Sequence, residues 1–218
     1  MQSKIVIIDY GSGNLQSVFN ALIQIKERFE ADLTNTSFIQ IEISNKPSDL
    51  KSATHIILPG VGSFGDCMLG LQSIPGMIDE LKVQVLEKKK SFLGICVGMQ
   101  LLADFGFEFG RNEGLGFIPG QVVKIEANHH SLKIPHTGWN NIKIRKNHPI
   151  LEGIKDGEHF YFVHSFHFNT QGDENVVATF DYGQEINAII AKNNIVATQF
   201  HPEKSSESGL KILQNFIN

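Results

Sequence analysis

Two cysteines are all that 218 residues contain, Cys67 and Cys96, and they stand 29 positions apart. That is no disulfide framework and no cysteine-ligated zinc site, so a reducing cytoplasm is the expected compartment. An excess of positive charge is lacking as well. Nineteen Lys and Arg against 23 Asp and Glu leave a formal net charge of −4, without the basic stripe that nucleic acid would require. Long apolar runs are missing: Ile5-Val6-Ile7-Ile8 and Ile56-Ile57-Leu58 are far too short to span a bilayer, so no membrane is expected. The opening MQSKIVIIDY runs straight into a strand-like stretch, and no secretory leader is expected there. What remains has a hydrophobic fraction of 41% and a charged fraction of 19%, the balance of a globular protein. The length suits one domain over residues 1–218, with room for a sizeable core.

Apolar runs that stop at glycine and lead into helical periodicity organise the first half. Residues 4–9 end at Tyr10-Gly11-Ser12-Gly13-Asn14, after which Leu15, Val18, Phe19, Leu22 and Ile23 recur at spacings of three and four. Residues 54–58 repeat the pattern and end at Pro59-Gly60-Val61-Gly62. Residues 78–88 read as a helix with a charged face, 91–95 as the next central strand, and 97 to about 105 as helix. Such runs mark buried parallel strands in βαβ units. The second half is different: a glycine-rich loop over 114–121, then short strands over 122–125, 139–144, 160–164, 176–180, 188–191 and 195–200. A helix over 208–217 closes the chain. This order predicts an α/β fold, an open mixed and largely parallel sheet flanked by helices. Residues 27–50 are the least readable, and the expectation there is a long loop plus an extra strand pair.

Gly94-Ile95-Cys96-Val97-Gly98 at a strand-to-helix junction has the mechanics of a nucleophile elbow. The turn lifts the side chain out of the sheet, and glycines on both sides remove Cβ clashes. A helix starting there directs N–H groups and a positive dipole end at the sulfur, which favours the thiolate. A buried structural cysteine is the alternative, and the pattern by itself does not decide between them. A thiolate nucleophile needs a base, and the base needs an orienting partner. His201 in Gln199-Phe200-His201-Pro202-Glu203-Lys204-Ser205 follows an apolar strand, and Glu203 at i+2 faces the same way. A surface His-Pro turn with an unrelated ion pair is the competing reading. Val97 N–H, next to the nucleophile, is a candidate oxyanion donor. Gly60, Val61 and Gly62 lie where open α/β sheets place their sites, and an ordinary turn is the alternative there.

Other motifs rank lower. Gly11-Ser12-Gly13 breaks the phosphate-binding G-x-G-x-x-G spacing at Gln16. His129-His130 with His136, or His164 with His167, lack a Cys or acidic partner at metal-ligand spacing, so they read as solvent or core histidines. Cys67 lacks the elbow setting and reads as a small packing residue.

Taken in order, Asp9-Tyr10-Gly11-Ser12-Gly13-Asn14-Leu15, Leu58-Pro59-Gly60-Val61-Gly62-Ser63-Phe64-Gly65, the cysteine elbow through Gln100, Pro135-His136-Thr137-Gly138-Trp139-Asn140, Tyr161-Phe162-Val163-His164-Ser165 and Gln199 through Ser205 form a pattern. With them the chain resembles the class I, triad-type glutamine amidotransferases over nearly its whole length. Within that class it resembles the glutaminase subunits that serve a separate cyclase in histidine biosynthesis. The resemblance implies that Cys96 attacks the carboxamide of L-glutamine, His201 shuttles the proton and Glu203 orients His201. It implies an oxyanion hole from Val97 N–H and the Gly60-Val61-Gly62 strand, the latter after a peptide rearranges. Gln100, Glu108 and the backbone around His164, Ser165 and Phe166 would hold the amino-acid end of the substrate. Trp139, Tyr161 and Lys204 would face the partner, a (β/α)8-barrel cyclase in a heterodimer; no cofactor or metal is implied. Phe166 stands where the family pattern has tyrosine, and the crossover over residues 27–45 is longer than usual. The rival readings are a paralogue feeding another synthase, for example in sugar amidination, and a non-catalytic binding module on the same fold.

Overall fold

Ile5, Val6, Ile7 and Ile8 are all fully buried, which puts the first strand between two covered faces. The computed structural model describes residues 2–31, 38–126 and 132–218. Its first half runs β1 (Gln2–Ile8), α1 (Leu15–Ala31), β2 (Phe38–Ser44), α2 (Pro47–Leu50), β3 (His55–Gly60), α3 (Phe64–Ser73), α4 (Met77–Leu81), β4 (Ser91–Cys96) and α5 (Val97–Gln100). The second half runs β5 (Phe105–Gly106), β6 (Asn112–Glu113), β7 (Gly120–Lys124), β8 (His136–Asn141), β9 (Lys143–Ile144), β10 (His159–His164), β11 (Phe166–Thr170), β12 (Val176–Asp181), β13 (Glu185–Lys192), β14 (Ile195–Thr198) and α6 (Ser206–Ile217). The main sheet has the order β2-β1-β3-β4-β14-β13-β12-β9. Pairings from β2 to β14 are parallel, and those from β14 to β9 are antiparallel. This is the mixed, helix-flanked α/β sheet that the run-glycine-helix order predicts. Two smaller sheets, β10-β8 and β11-β7-β5-β6, complete the strand structure described. No helix among the described residues is long and apolar enough to cross a membrane.

Helix α1 buries Val18, Ala21, Leu22 and Ile25, the i, i+3, i+4, i+7 stripe of an amphipathic helix, and packs against β2 and α6. Val18, Leu22 and Ile25 each contribute about 1.5–3 kcal/mol by leaving water. Ile23, expected on that stripe, is only partly covered.

Three expectations need correction. The described residues of 27–50 hold no strand pair: α1 continues to Ala31, and β2 is a single edge strand parallel to β1 over seven residues. Its alternation Phe-Ile-Gln-Ile-Glu-Ile-Ser suits an edge with one covered face, and Lys4 of β1 meets Glu42 across it at 3.0 Å. The helix after Cys96 stops at Gln100 and does not reach 105. Its next carbonyls are taken from outside: Leu101 O accepts from Leu115 N at 2.8 Å, Leu102 O from Phe117 N at 2.9 Å, and Ala103 O from Gly116 N at 3.0 Å. The glycine-rich loop therefore terminates the helix, and it can approach because a Cβ on Gly114 would stand 2.1 Å from Ala103 O. Finally, the helix over 78–88 begins at Met77 and widens to a π-helical segment over Lys82–Glu87.

Gly209 in α6 sits where a Cβ would lie 1.9 Å from Pro202 O, so the helix rides on the turn that carries His201 and Glu203. Alanine gains roughly 1 kcal/mol of helix propensity over glycine, but overpacking against a backbone carbonyl costs about 1–3 kcal/mol. The net cost of up to about 2 kcal/mol means that Gly209→Ala is expected to lower the melting temperature by up to about 8 °C in scanning calorimetry. An unchanged or higher melting temperature would mean that α6 can lift off the turn freely.

Candidate active site

Strands β3, β4 and β14 are neighbours, and their C-terminal ends open on one crevice, as parallel sheets arrange their sites. Cys96 is the last residue of β4, paired across to Gly60 at the end of β3. Its backbone is at φ +54°, ψ −111°, a conformation that L residues other than glycine seldom adopt and that marks a strained elbow. The flanking glycines are required by close approach. A Cβ on Gly98 would stand 1.8 Å from Leu58 O, and one on Gly94 would stand 2.7 Å from Gly98 O. Gly60 is needed for the same reason: its Cβ would meet Gly98 N at 2.7 Å and the Tyr10 hydroxyl at 2.8 Å. The α5 N-terminus thus sits tight against β3 and β4, with its first-turn N–H groups lacking intrahelical acceptors. Because α5 is a single turn, these local N–H groups carry more of the field at Cys96 than any macrodipole does.

His201 follows β14, and the turn that carries it is stitched to β10. Tyr161 O accepts from His201 N at 2.9 Å, Tyr161 N donates to Ser205 Oγ at 3.0 Å, and Ser205 Oγ donates to His201 O at 2.7 Å. His201 Nδ1 lies 2.8 Å from Glu203 Oε1, with both side chains out of solvent. Asn14 Nδ2 donates to the same Glu203 oxygen at 3.3 Å and is itself held by Ser17 Oγ at 2.8 Å. His201 Nε2 is buried with no hydrogen-bond partner in the protein. Burial lowers the His201 pKa, but the Glu203 hydrogen bond at Nδ1 and attraction to the Cys96 and Glu203 charges outweigh it and push the value up to about 10.

One cavity of about 230 Å³ brings Cys96, Val97 and His201 together with Gln100, Glu108, His164, Ser165, Phe166, Val61 and Gly62. Gln100 uses its amide nitrogen inside the protein, donating to Phe166 O at 2.8 Å and Gln199 Oε1 at 3.1 Å. Glu108 Oε2 accepts from Phe64 N at 2.9 Å, so its carboxylate caps the start of α3. Val61 does not present a free peptide: its carbonyl accepts from Ser12 Oγ at 2.5 Å and Cys67 Sγ at 3.3 Å, and its N–H points to Ser12 Oγ at 3.4 Å. Cys67 is therefore buried as expected, yet its thiol is hydrogen-bonded and not merely packed. Trp139, Tyr161 and Lys204 form one patch, with Trp139 half exposed, its ring 6.1 Å edge-on to Tyr161, and Lys204 Nζ 6.0 Å above Tyr161.

Among the described residues no group of three or more His, Cys, Asp or Glu side chains stands close enough to hold a metal ion. His129 and His130 lie outside the described residues. His136 and His164 are bonded to each other, Nδ1 to Nε2, at 3.1 Å, and His167 stands apart near Gln184. Sequence reasoning missed Asn14, Ser12, Gln199 and Ser205 as parts of the site. Asn14 and Ser12 lay in a loop that was matched to the family pattern and weighed for phosphate spacing but given no role, and nothing local in the sequence links them to partners 49 to 189 positions away.

An α/β sheet with a cysteine elbow, a facing histidine and a carboxylate behind it defines the class, and the chain belongs to the class-I glutamine amidotransferases: the family described as "Glutamine amidotransferase class-I" matches residues 6–218. Within that class its family is that of the HisH subunits of imidazole glycerol phosphate synthase. It is 43% identical to the "Imidazole glycerol phosphate synthase subunit HisH" of Agrobacterium fabrum over 217 residues, 98% of each chain. It is 44% identical to that of Rhodospirillum rubrum over 215 residues, again 98% of each. The Pelagibacter ubique subunit is 41% identical over 214 residues, 98% of this chain and 99% of its own. Among solved structures, a glutamine amidotransferase superposes with a TM-score of 0.69 at 20% identity, covering 97% of this chain and 98% of that one. Another, from Thermotoga maritima, has a TM-score of 0.61 at 16% identity, covering 94% and 78%. At these identities the structures speak for the fold alone.

Proposed function

We propose that this chain acts as a single glutaminase domain, the ammonia-supplying subunit of an imidazole glycerol phosphate synthase. It would work in a cytoplasmic heterodimer with a (β/α)8-barrel cyclase in histidine biosynthesis. The observation that carries the reading is the shared cavity. Cys96 sits there on a strained elbow, and His201 turns an unpartnered Nε2 edge inward while its Nδ1 is held by Glu203 at 2.8 Å.

The chemistry follows from that arrangement. The Cys96 thiolate attacks the side-chain carbonyl of glutamine, and the oxygen takes the negative charge against Val97 N–H. Protonated His201 gives its proton to the leaving nitrogen, releasing ammonia and a glutamyl thioester. His201, now neutral, draws a proton from water, whose oxygen attacks the thioester and expels the thiolate, giving glutamate. Glu203 holds the imidazole direction and stabilises its charged form throughout. Glu108 offers a carboxylate to the α-ammonium group of glutamine. Gln100, with its nitrogen engaged by Phe166 and Gln199, offers its carbonyl oxygen to the same group.

Ammonia released to water would be protonated and lost as a nucleophile, so the product must leave through a closed interface. The Trp139, Tyr161 and Lys204 patch is the proposed cyclase face, since the His201 turn is tied directly to Tyr161. The Ser12 and Cys67 contacts to Val61 accord with an oxyanion strand that completes itself only in the complex. The test is a glutamine-mimicking electrophile followed by peptide mass mapping. Cys96 is expected to carry the single adduct and Cys67 none, with labelling at least about tenfold faster when the cyclase is bound. An unmodified Cys96 in the assembled complex would leave a non-catalytic binding module as the reading. Equal glutamine turnover with and without the cyclase would remove the coupling.

A further inference from the structure

His136 and His164 are two of the buried histidines that the chemistry above does not use. They face each other across β8 and β10, in the register that also sets Trp139 opposite Tyr161. His136 Nδ1 lies 3.1 Å from His164 Nε2, and His164 Nδ1 lies 2.9 Å from the Phe166 carbonyl oxygen. A carbonyl only accepts, so His164 carries its proton on Nδ1 and presents a lone pair at Nε2. His136 must then donate from Nδ1. The donors run one way, from His136 to His164 to the Phe166 carbonyl, where Gln100 Nε2 also donates at 2.8 Å.

The direction is held mechanically. The His136 ring is stacked on Phe162 at 5.2 Å and Phe180 at 5.4 Å, and Tyr182 covers it at 4.0 Å, so the ring has no room to turn. Burial pushes the His136 pKa down to about 4 and is the main cause that takes His164 down to about 3. Both rings therefore stay neutral near pH 7, which the one-way order requires, since a doubly protonated His164 would set two donors face to face. His164, Phe166 and Gln100 line the cavity, whereas His136 does not.

We propose that His136 is a positioning residue for the glutamine pocket: acting through His164 it fixes the Phe166 carbonyl, and with it the Gln100 amide, without touching substrate. This rests on the reading of the cavity as the glutamine site. A packing role alone would be filled as well by phenylalanine, which keeps the stack but has no donor. Asparagine returns an N–H close to the Nδ1 position while giving up the ring.

The experiment compares His136→Phe and His136→Asn, each assembled with the cyclase, in steady-state glutamine kinetics. The Phe variant is expected to raise KM for glutamine about tenfold or more with kcat changed less than about threefold, and the Asn variant to recover KM to within about threefold of wild type. Nitrogen-15 NMR of histidine-labelled wild-type protein is expected to find the His164 proton on Nδ1. A wild-type KM in the Phe variant, equal impairment of both variants, or a His164 proton on Nε2 each overturns the inference. If the Phe variant does not fold, the Asn variant and the His164 tautomer carry the test with the same outcomes. A wild-type complex that turns over no glutamine sinks the glutaminase reading and this inference with it. A turning-over complex with an unaffected Phe variant sinks the inference alone.

Discussion

Replacing Cys96 by alanine is expected to lower glutamine-dependent synthesis in the complex by at least about a thousandfold, the scale on which nucleophile loss acts. Ammonia-dependent synthesis by the same complex should stay near the wild-type rate, because the cyclase keeps its partner and needs only the external nucleophile. The fold should tolerate the change. Alanine keeps the Cβ at the strained elbow, and Sγ makes only long contacts, 3.8 Å to Val163 O and 3.8 Å from Gln199 Nε2. Cys67 cannot stand in, since it is buried within α3 with its thiol directed to Val61 O. Loss of both activities together would mark Cys96 as structural and end the mechanism proposed above.

Glu203→Gln carries the second large effect. The substitution keeps shape but removes the charge that faces His201 Nδ1 at 2.8 Å, in a place without solvent to replace it. Burial then acts on the imidazolium with less opposition, and the His201 pKa falls from its raised position. Glutamine-dependent turnover is expected to drop by about 10²–10⁴-fold, as it does when a buried carboxylate behind a catalytic histidine is neutralised. The alkaline limb of the glutaminase pH profile should also move to lower pH, because the general acid loses its proton sooner. Stability follows the same sign. A histidine whose folded pKa is raised contributes stability that is fully present below its unfolded value near 6.5 and is lost as pH rises toward about 10. Denaturant unfolding should therefore separate wild type from variant more at pH 6 than at pH 10. A variant with an unmoved pH profile and wild-type turnover would show that Glu203 is not the orienting group.

How much of this was readable without coordinates differs from residue to residue. The elbow was legible because its residues are local: Gly94 and Gly98 flank Cys96 within five residues, and the clashes they avoid are between β4 and the first turn of α5 and between that turn and β3. His201 and Glu203 were legible because an i, i+2 pair in extended chain shares a face, and here the ring and carboxylate meet at 2.8 Å. The central parallel strands were legible because strands covered on both faces leave unbroken apolar runs, as in Ile5 to Ile8. Strand β2 was not, since an edge strand covered on one face alternates and imitates loop. The end of α5 was not either, since the N–H donors that stop it belong to a loop about fourteen residues further on.

The sequence by itself determined the chemistry carried by near neighbours: which cysteine stands on a turn, which histidine has a carboxylate beside it, and which runs must lie inside a sheet. Only the tertiary structure decided what those groups face. Asn14 reaches Glu203 across 189 positions, and Ser12 holds Val61 across 49. His136 is joined to His164 at 3.1 Å where the sequence offered histidines read as solvent or core. The physical reason is common to all three. A hydrogen bond between residues far apart in the chain depends on angstrom-scale placement of distant segments, and packing sets that placement, whereas a turn or an i, i+2 pair is fixed by the covalent chain.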